Sequence, residues 1–130
     1  MTLLPAAAGS TAHPNLAVVG GKDGTIYLVD RDNMGGYNAS GNTQIVQSVV
    51  NEFPNGNYDT GNFKAPVYWN GNLYYSADAD YLRAFSISNA QLSTAPTSES
   101  AHIFNYPGST LGVSANGTTA GILWSIERTT

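Results

Sequence analysis

The stretch GGKDGTIYLVDRDNMGG, residues 20–36, decides the fold of this chain. An apolar run at residues 16–19 precedes it, and a second apolar run at residues 26–29 lies inside it. An Asp-Gly pair between two apolar runs is a strong hairpin pattern, because a type I′ turn needs positive φ at both central residues. The stretch therefore predicts two antiparallel strands joined by a tight turn at Asp23-Gly24.

Short apolar runs separated by Gly, Asn, Asp and Pro continue along the chain, and helical periodicity is nearly absent. Strands are predicted at residues 16–19, 26–29, 44–53, 67–69, 73–77, 81–87 and 102–106, with two more around Asn116-Gly117. Residues 44–53 also fit a short helix, but their β-branched side chains favour a strand. Further hairpin turns are predicted at Asn70-Gly71 and residues 78–80, and loops at residues 1–15 and 89–100. The pattern predicts an all-β chain.

The strand runs repeat along the sequence. Residues 15–19 align with residues 72–76 and 121–125, and residues 26–30 align with residues 82–86. These spacings are close to the roughly 40–50 residues of a four-stranded β-propeller blade. The sequence therefore predicts a partial β-propeller of about two to three four-stranded antiparallel blades. Residues 1–130 are expected to form a single partial propeller domain, with blade segments at about 13–53, 65–107 and 108–130.

A propeller ring needs roughly 4–8 blades to close, so this chain is expected to be an open, fan-like piece of a larger propeller with exposed outer faces. Strands inside a blade are covered on both faces by neighbouring blades, which favours continuous apolar runs. The side chains expected to be largely buried on this basis are Tyr27, Val29, Trp69, Tyr75, Phe85 and Trp124.

The run from Gly20 to Asp30 resembles the repeat of pyrroloquinoline-quinone-type propellers, which reads Gly-Gly-x-Asp-Gly and then Leu-Tyr-Ala-Leu-Asp. Residues 80–86 form a looser copy, and PVYWNGNLYYSA at residues 66–77 is similar to the first hairpin of that repeat. The resemblance covers most of residues 16–126. It implies a bacterial, secreted or periplasmic propeller of the quinoprotein-dehydrogenase-like group, a label that describes fold and not cofactor.

The residues that would hold the quinone in that group are not matched here. The family's docking turn, Ala-x-Asp-x-x-x-Gly-x-x-x-Trp, would need a Trp soon after Asp30, and the next Trp is Trp69. The vicinal cysteine pair is also missing, because the chain has no cysteine. No cofactor is therefore expected. The preferred function is a non-enzymatic scaffold or interaction surface; the alternative is a fragment of a quinone-dependent dehydrogenase whose cofactor ligands lie outside this chain.

Residues 30–36 superficially resemble a calcium loop. Asp30, Asp32 and Gly35 fit positions 1, 3 and 6 of an EF-hand loop, but Met34 and Gly41 occupy positions that need oxygen ligands. A turn in which Asp and Asn bond their own backbone explains the same residues. The interpretation favoured here is the turn.

The other candidate residues are also explained by structure. Residues 20–24 lack the following helix that a phosphate loop needs. No catalytic or metal-binding spacing links His13 with His102, and the nearby carboxylates Asp78 and Asp80 fit a turn. The sequence thus predicts no catalytic, cofactor-binding or metal-ligating residue.

Composition narrows the partners. The net charge is −4 with only five Lys and Arg, which argues against nucleic acid. No apolar run reaches the roughly 20 residues of a membrane helix, and residues 1–15 lack the basic start of a signal peptide. A charged fraction of 11% favours an extracytoplasmic protein whose signal lies outside this chain. The expected partners are the remaining blades, and beyond them protein or carbohydrate.

Overall fold

The computed structural model describes residues 1–50, 52–53 and 61–128. The strands are β1 (Thr2–Leu3), β2 (Leu16–Gly20), β3 (Ile26–Asp30), β4 (Gln47–Val49), β5 (Val67–Trp69), β6 (Asn72–Ser76), β7 (Asp80–Ser88), β8 (Gln91–Leu92), β9 (Ser98–Phe104), β10 (Thr110–Asn116) and β11 (Thr119–Ile126). A 3₁₀ helix covers Ala6–Ala8. Within these described ranges, no helix is long and apolar enough to cross a membrane.

The strands form three antiparallel sheets. The first has the order β1-β2-β3-β4, and the third is the two-stranded pair β10-β11. The second follows β5-β6-β7, with β9 pairing along most of β7 and β8 pairing with its far end. The fold is therefore all-β, as predicted, and none of the described sheets closes on itself. The arrangement of these sheets as propeller blades stays a prediction.

All three predicted hairpin turns are confirmed. Asn70 and Gly71 both have positive φ, as a type I′ turn requires, and Ala79 has φ 51° between β6 and β7. The turn at Asp23-Gly24 joins β2 to β3 but is wider than expected. Only Gly24 has positive φ there, and the Gly21 N–H donates to the Thr25 carbonyl across a longer loop.

Two predicted loops contain strands. Residues 2–3 of the N-terminal segment pair with β2, and the neighbouring Leu4 is buried in the core. Residues 89–100 contain β8 and the start of β9, which begins at Ser98 rather than at His102. Most side chains of β9 are exposed because it is an edge strand, and exposed positions commonly carry polar residues. A polar run of this kind is predicted as a loop from the sequence pattern. By contrast, the strand predicted at residues 44–53 is reduced to β4 among its described residues, and residue 51 lies outside them.

The core lies between the first and second sheets. Its members are buried apolar side chains from both sheets, mainly Leu16, Val18, Ile26, Leu28, Leu73, Tyr75, Phe85 and Ile87. The Phe53 ring lies against Tyr75 and Phe85, with ring centroids 5.1 Å and 6.4 Å away. The predicted burial of Tyr75 and Phe85 is thus confirmed.

The expectation that blade strands are covered on both faces is wrong for four side chains. Tyr27, Val29 and Trp69 are only half-buried, and Trp124 is exposed. In β3 the buried residues Ile26 and Leu28 alternate with the half-buried ones, because only one face of the sheet packs into the core. An apolar run therefore does not by itself indicate that both faces of a strand are covered.

Replacing Phe85 by Ala removes the ring at the centre of this core. We expect Phe85→Ala to lower the free energy of unfolding by about 3–5 kcal/mol, because it leaves a cavity beside Tyr75. Urea unfolding followed by circular dichroism measures the change. Tyr37, which is 93% exposed, provides the control: Tyr37→Ala should stay within about 0.5 kcal/mol of the wild type. Equal effects of the two substitutions would contradict this core.

Candidate functional site

The exposed apolar residues of the third sheet lie on one face of the hairpin β10-β11. Ile122, Trp124 and Ile126 alternate along β11, so their side chains project to the same side. They are 51%, 56% and 72% exposed, respectively. We call these three residues the outer face. The residues opposite them on β10 are the small Ser114, Gly112 and Thr110, which leave the outer face uncovered.

The opposite face of the hairpin rests on Trp69 of β5. The Trp69 Nε1–H donates to the Gly117 carbonyl oxygen at 3.1 Å. A Cβ at Gly121 would clash with the Trp69 ring, so glycine at this position leaves room for the contact. The half-buried Trp69 therefore acts as the platform that positions the third sheet.

The outer edge of β11 is open. Within the described chain β11 pairs only with β10, so the backbone groups along its other side have no strand partner. Natural edge strands are commonly protected by charged residues or proline. Thr119–Ile126 has neither. An unprotected edge beside an apolar face is a surface suited to pairing with another strand.

A cleft of about 500 Å³ lies where the end of β11 meets the loop after β9. Its lining includes Lys64, Tyr106, Pro107, Thr110, Glu127 and Arg128. The Gly108 N–H donates to the Asn105 carbonyl, and the Ser109 N–H donates to the buried Ser76 hydroxyl of β6. These bonds hold the loop that carries Tyr106 against the second sheet.

Glu127 ties the end of β11 to β9. Its Oε1 accepts from the Asn105 N–H at 2.9 Å, and its Oε2 lies 2.9 Å from the His102 Nε2. The Asn105 N–H and the His102 ring hold the pKa of Glu127 below its usual value. Because an ionised carboxylate only accepts, the His102 Nε2 carries the proton and donates. Glu127, His102 and Asn105 together form what we call the Glu127 clamp.

An aromatic contact fixes Tyr106 at the side of the cleft. Its ring centroid lies 5.4 Å from that of Phe63, at a T-shaped angle of 71°. The Lys22 Nζ lies 4.7 Å from the Phe63 centroid on a cation–π contact. Tyr106 itself stays 60% exposed. Lys22, Phe63 and Tyr106 thus form a continuous series of contacts that ends at the cleft.

The residues considered as a calcium loop form turns. Asp30 Oδ1 accepts from the Asp32 N–H at 2.9 Å, and Asn33 Oδ1 accepts from the Gly35 N–H at 3.3 Å. Both are bonds from a side chain to the backbone two residues on, as the turn interpretation predicts. In residues 1–50, 52–53 and 61–128, no group of three His, Cys, Asp or Glu is arranged to hold a metal ion.

The carboxylates considered near residues 78–80 are buried, and one of them, Asp80, belongs to a network between strands. Asp78 and Asp80 are both buried at the turn between β6 and β7. Asp80 lies 2.9 Å from an Arg83 nitrogen, and Arg83 also reaches Glu99 of β9 at 3.1 Å. Burial raises the pKa of Asp80, against the lowering effects of the Tyr81 N–H and of Arg83. This network joins β7 to β9.

The structure brings together one pair that sequence spacing did not suggest. His13 Nδ1 lies 2.9 Å from the buried Asp30 carboxylate, and the His13 N–H donates to the Ser10 hydroxyl. The His13 ring holds the pKa of Asp30 below its usual value. The bond attaches the loop before β2 to the end of β3. No sequence pattern predicts this pair, because its two residues meet only when β2 and β3 pair. The cleft residues Lys64, Tyr106 and Glu127 are not predicted either, for the same kind of reason.

Comparison with known proteins finds no matching protein family, no similar curated protein and no similar solved structure.

The two tryptophans should contribute differently to stability. Trp69→Ala removes the platform of the third sheet, and we expect it to cost about 1–3 kcal/mol, less than a fully buried aromatic ring. Trp124→Ala should cost under about 1 kcal/mol, because the ring is exposed and its main polar contact is with Ser114. Urea unfolding of both variants measures the difference. A larger loss for Trp124→Ala than for Trp69→Ala would contradict the docking described here.

The Glu127 clamp should weaken in acid. Because the pKa of Glu127 is lowered in the folded chain, its stabilising contribution is fully present above the ordinary value of 4.5 and is lost as the pH falls through the lowered value. Amide NMR of Asn105 between pH 7 and pH 2 follows the loss. In Glu127→Gln the same amide should show no such titration. A titration that persists in Glu127→Gln would assign it to another group.

Proposed function

We propose that the protein is a β-propeller segment of an exported bacterial protein, and that it acts as a scaffold rather than as an enzyme. Its partners are the remaining blades of the parent propeller. The observation that carries this proposal is the outer face, an uncharged apolar row on a two-stranded sheet. Isolated two-stranded hairpins are marginally stable, and exposed apolar patches mark interaction sites.

The partner that fits this surface is an extended, uncharged strand that pairs with β11. The open edge supplies backbone donors and acceptors, and the outer face supplies apolar contacts at alternate positions. The first two sheets each contain an antiparallel path of four strands, whereas the third has two. Two further strands beside β11 would give the third sheet the same pattern.

The roles of the polar residues support a scaffold. Histidines and carboxylates that could take part in chemistry are instead engaged in contacts between neighbouring segments: His13 with Asp30, His102 with Glu127, and Glu99 with Arg83. A low charged fraction of 11% supports a location outside the cytoplasm, periplasmic or secreted. The resemblance to quinoprotein-dehydrogenase-like propellers supports the same setting.

Without its partner strands, the outer face should drive association of the 130-residue chain. We expect static light scattering to show a mass that rises continuously with concentration, because an open edge continues to add strands. Trp124→Lys places a charge in the middle of the outer face and should lower the mass toward that of a monomer. Tyr37→Lys makes the same change at another exposed aromatic residue and should leave the association unaltered.

Two results would contradict the proposal. A wild-type chain that stays monomeric at high concentration would show that the outer face needs no cover. A discrete dimer that saturates and is abolished by Trp124→Lys would assign the surface to a second copy of this chain rather than to further blades.

A further inference from the structure

Positive charge gathers around the cleft of an otherwise acidic chain. The protein has five Lys and Arg and a net charge of −4. Lys64 and Arg128 line the cleft, and Lys22 lies beside it on the Phe63 ring that contacts Tyr106. Because three of the few cations converge on one small region, the local field favours a negatively charged ligand.

The two cations in the cleft lining, Lys64 and Arg128, have no carboxylate partner among the described residues. The acidic residue in the lining, Glu127, has both carboxylate oxygens directed to protein donors, on Asn105 and His102. Glu127 keeps its negative charge in these bonds but forms no ion pair with Lys64 or Arg128, so the lining carries two positive charges and one negative charge.

The cleft also offers a rigid apolar surface. Tyr106 is exposed, but its ring is held by Phe63 and by the short turn that ends at Gly108. A fixed aromatic ring provides a flat apolar face together with a hydroxyl group that forms hydrogen bonds. The Thr110 hydroxyl and the Pro107 ring complete this side of the lining. The cleft volume of about 500 Å³ is in the range of small-molecule sites.

We propose that this cleft binds an acidic sugar, a pyranose that carries a carboxylate. The C–H face of the sugar ring packs on Tyr106, its hydroxyl groups bond the Tyr106 and Thr110 hydroxyls, and its carboxylate pairs with Lys64 and Arg128. A small inorganic anion would pair with the cations but would make no contact with the Tyr106 ring. An acidic peptide would use the cations too, but it presents no rigid ring face to Tyr106.

Calorimetric titration of the 130-residue chain with trigalacturonate tests the site. We expect saturable binding that weakens as the salt concentration rises, because exposed charge pairs are screened. The fully methyl-esterified trisaccharide keeps the sugar rings and loses the charge. It should bind at least about 10-fold more weakly, as the loss of charged hydrogen bonds implies.

Variants assign the residues. Lys64→Gln and Tyr106→Ala should each weaken trigalacturonate binding about 10-fold, and Lys64→Arg should restore most of the affinity. Arg31→Gln is the matched control, because it removes one positive charge at the end of β3, beside Asn15 and away from the cleft lining. Its affinity should equal that of the wild type. Circular dichroism of each variant separates a binding defect from a folding defect.

Three outcomes would overturn this inference. The absence of binding would show that the cleft is not a site for acidic sugars. Equal binding of the methyl ester would show that the cations do not contribute to the affinity. Tighter binding of a polyglutamate peptide than of trigalacturonate would assign the cleft to acidic peptides. Ile126 of the outer face also lines the cleft, whereas Lys64 and Tyr106 lie outside that face, so loss of binding in the Lys64 and Tyr106 variants is distinguishable from covering of β11.

Discussion

The packing of Phe53 against Tyr75 and Phe85 joins the first sheet to the second, and the third sheet is attached to the second through Trp69. Phe53 follows the first sheet, whereas Tyr75 and Phe85 lie on neighbouring strands of the second sheet, with their own ring centroids 5.8 Å apart. An open antiparallel sheet has one apolar face that needs a cover. The three rings join the two faces, and the aliphatic residues of both sheets close around them.

The third sheet lies outside this core and is held by fewer contacts. Trp69 supports its inner face through the space left by Gly121, and the Glu127 clamp holds its base to β9. Because both attachments are on the inner side and at the base, the outer face and the edge of β11 stay open. The cleft forms at the same base, where β11 leaves the sheet. Both proposed roles thus follow from how the third sheet is attached.

The two histidines have comparable structural roles. His13 bonds Asp30 and attaches the N-terminal loop to β3, and His102 bonds Glu127 and attaches β11 to β9. In each case a carboxylate at or just beyond the end of a strand accepts from a ring on a separate segment. The buried Asp80 and the more exposed Arg83 and Glu99 perform a similar function between β7 and β9. Most of the charge pairing in this weakly charged chain therefore connects neighbouring segments.

Local sequence patterns were sufficient to predict the all-β class, the hairpin turns and most of the strands. These features depend on local properties: glycine and asparagine at Asn70-Gly71 accept positive φ, and β-branched and aromatic runs favour extended backbone. The polar start of the edge strand β9 and the short β1 were missed, because a partner strand rather than a local preference makes them extended. Residues 30–36 form turns through bonds between neighbouring residues, so the local sequence was enough to interpret them. The cleft was not predicted because its residues come from distant segments.

Burial and the candidate sites were decided by the tertiary structure. Trp69 and Trp124 lie in similar apolar runs, yet one supports the third sheet and the other faces outward. Which face of a strand is covered depends on the sheet that packs against it, and this information is not local. Lys64, Tyr106 and Glu127 are far apart in the chain, and only strand pairing brings them around one cleft. Short-range preference therefore determined the elements, and long-range packing decided which of their side chains remain available to a partner.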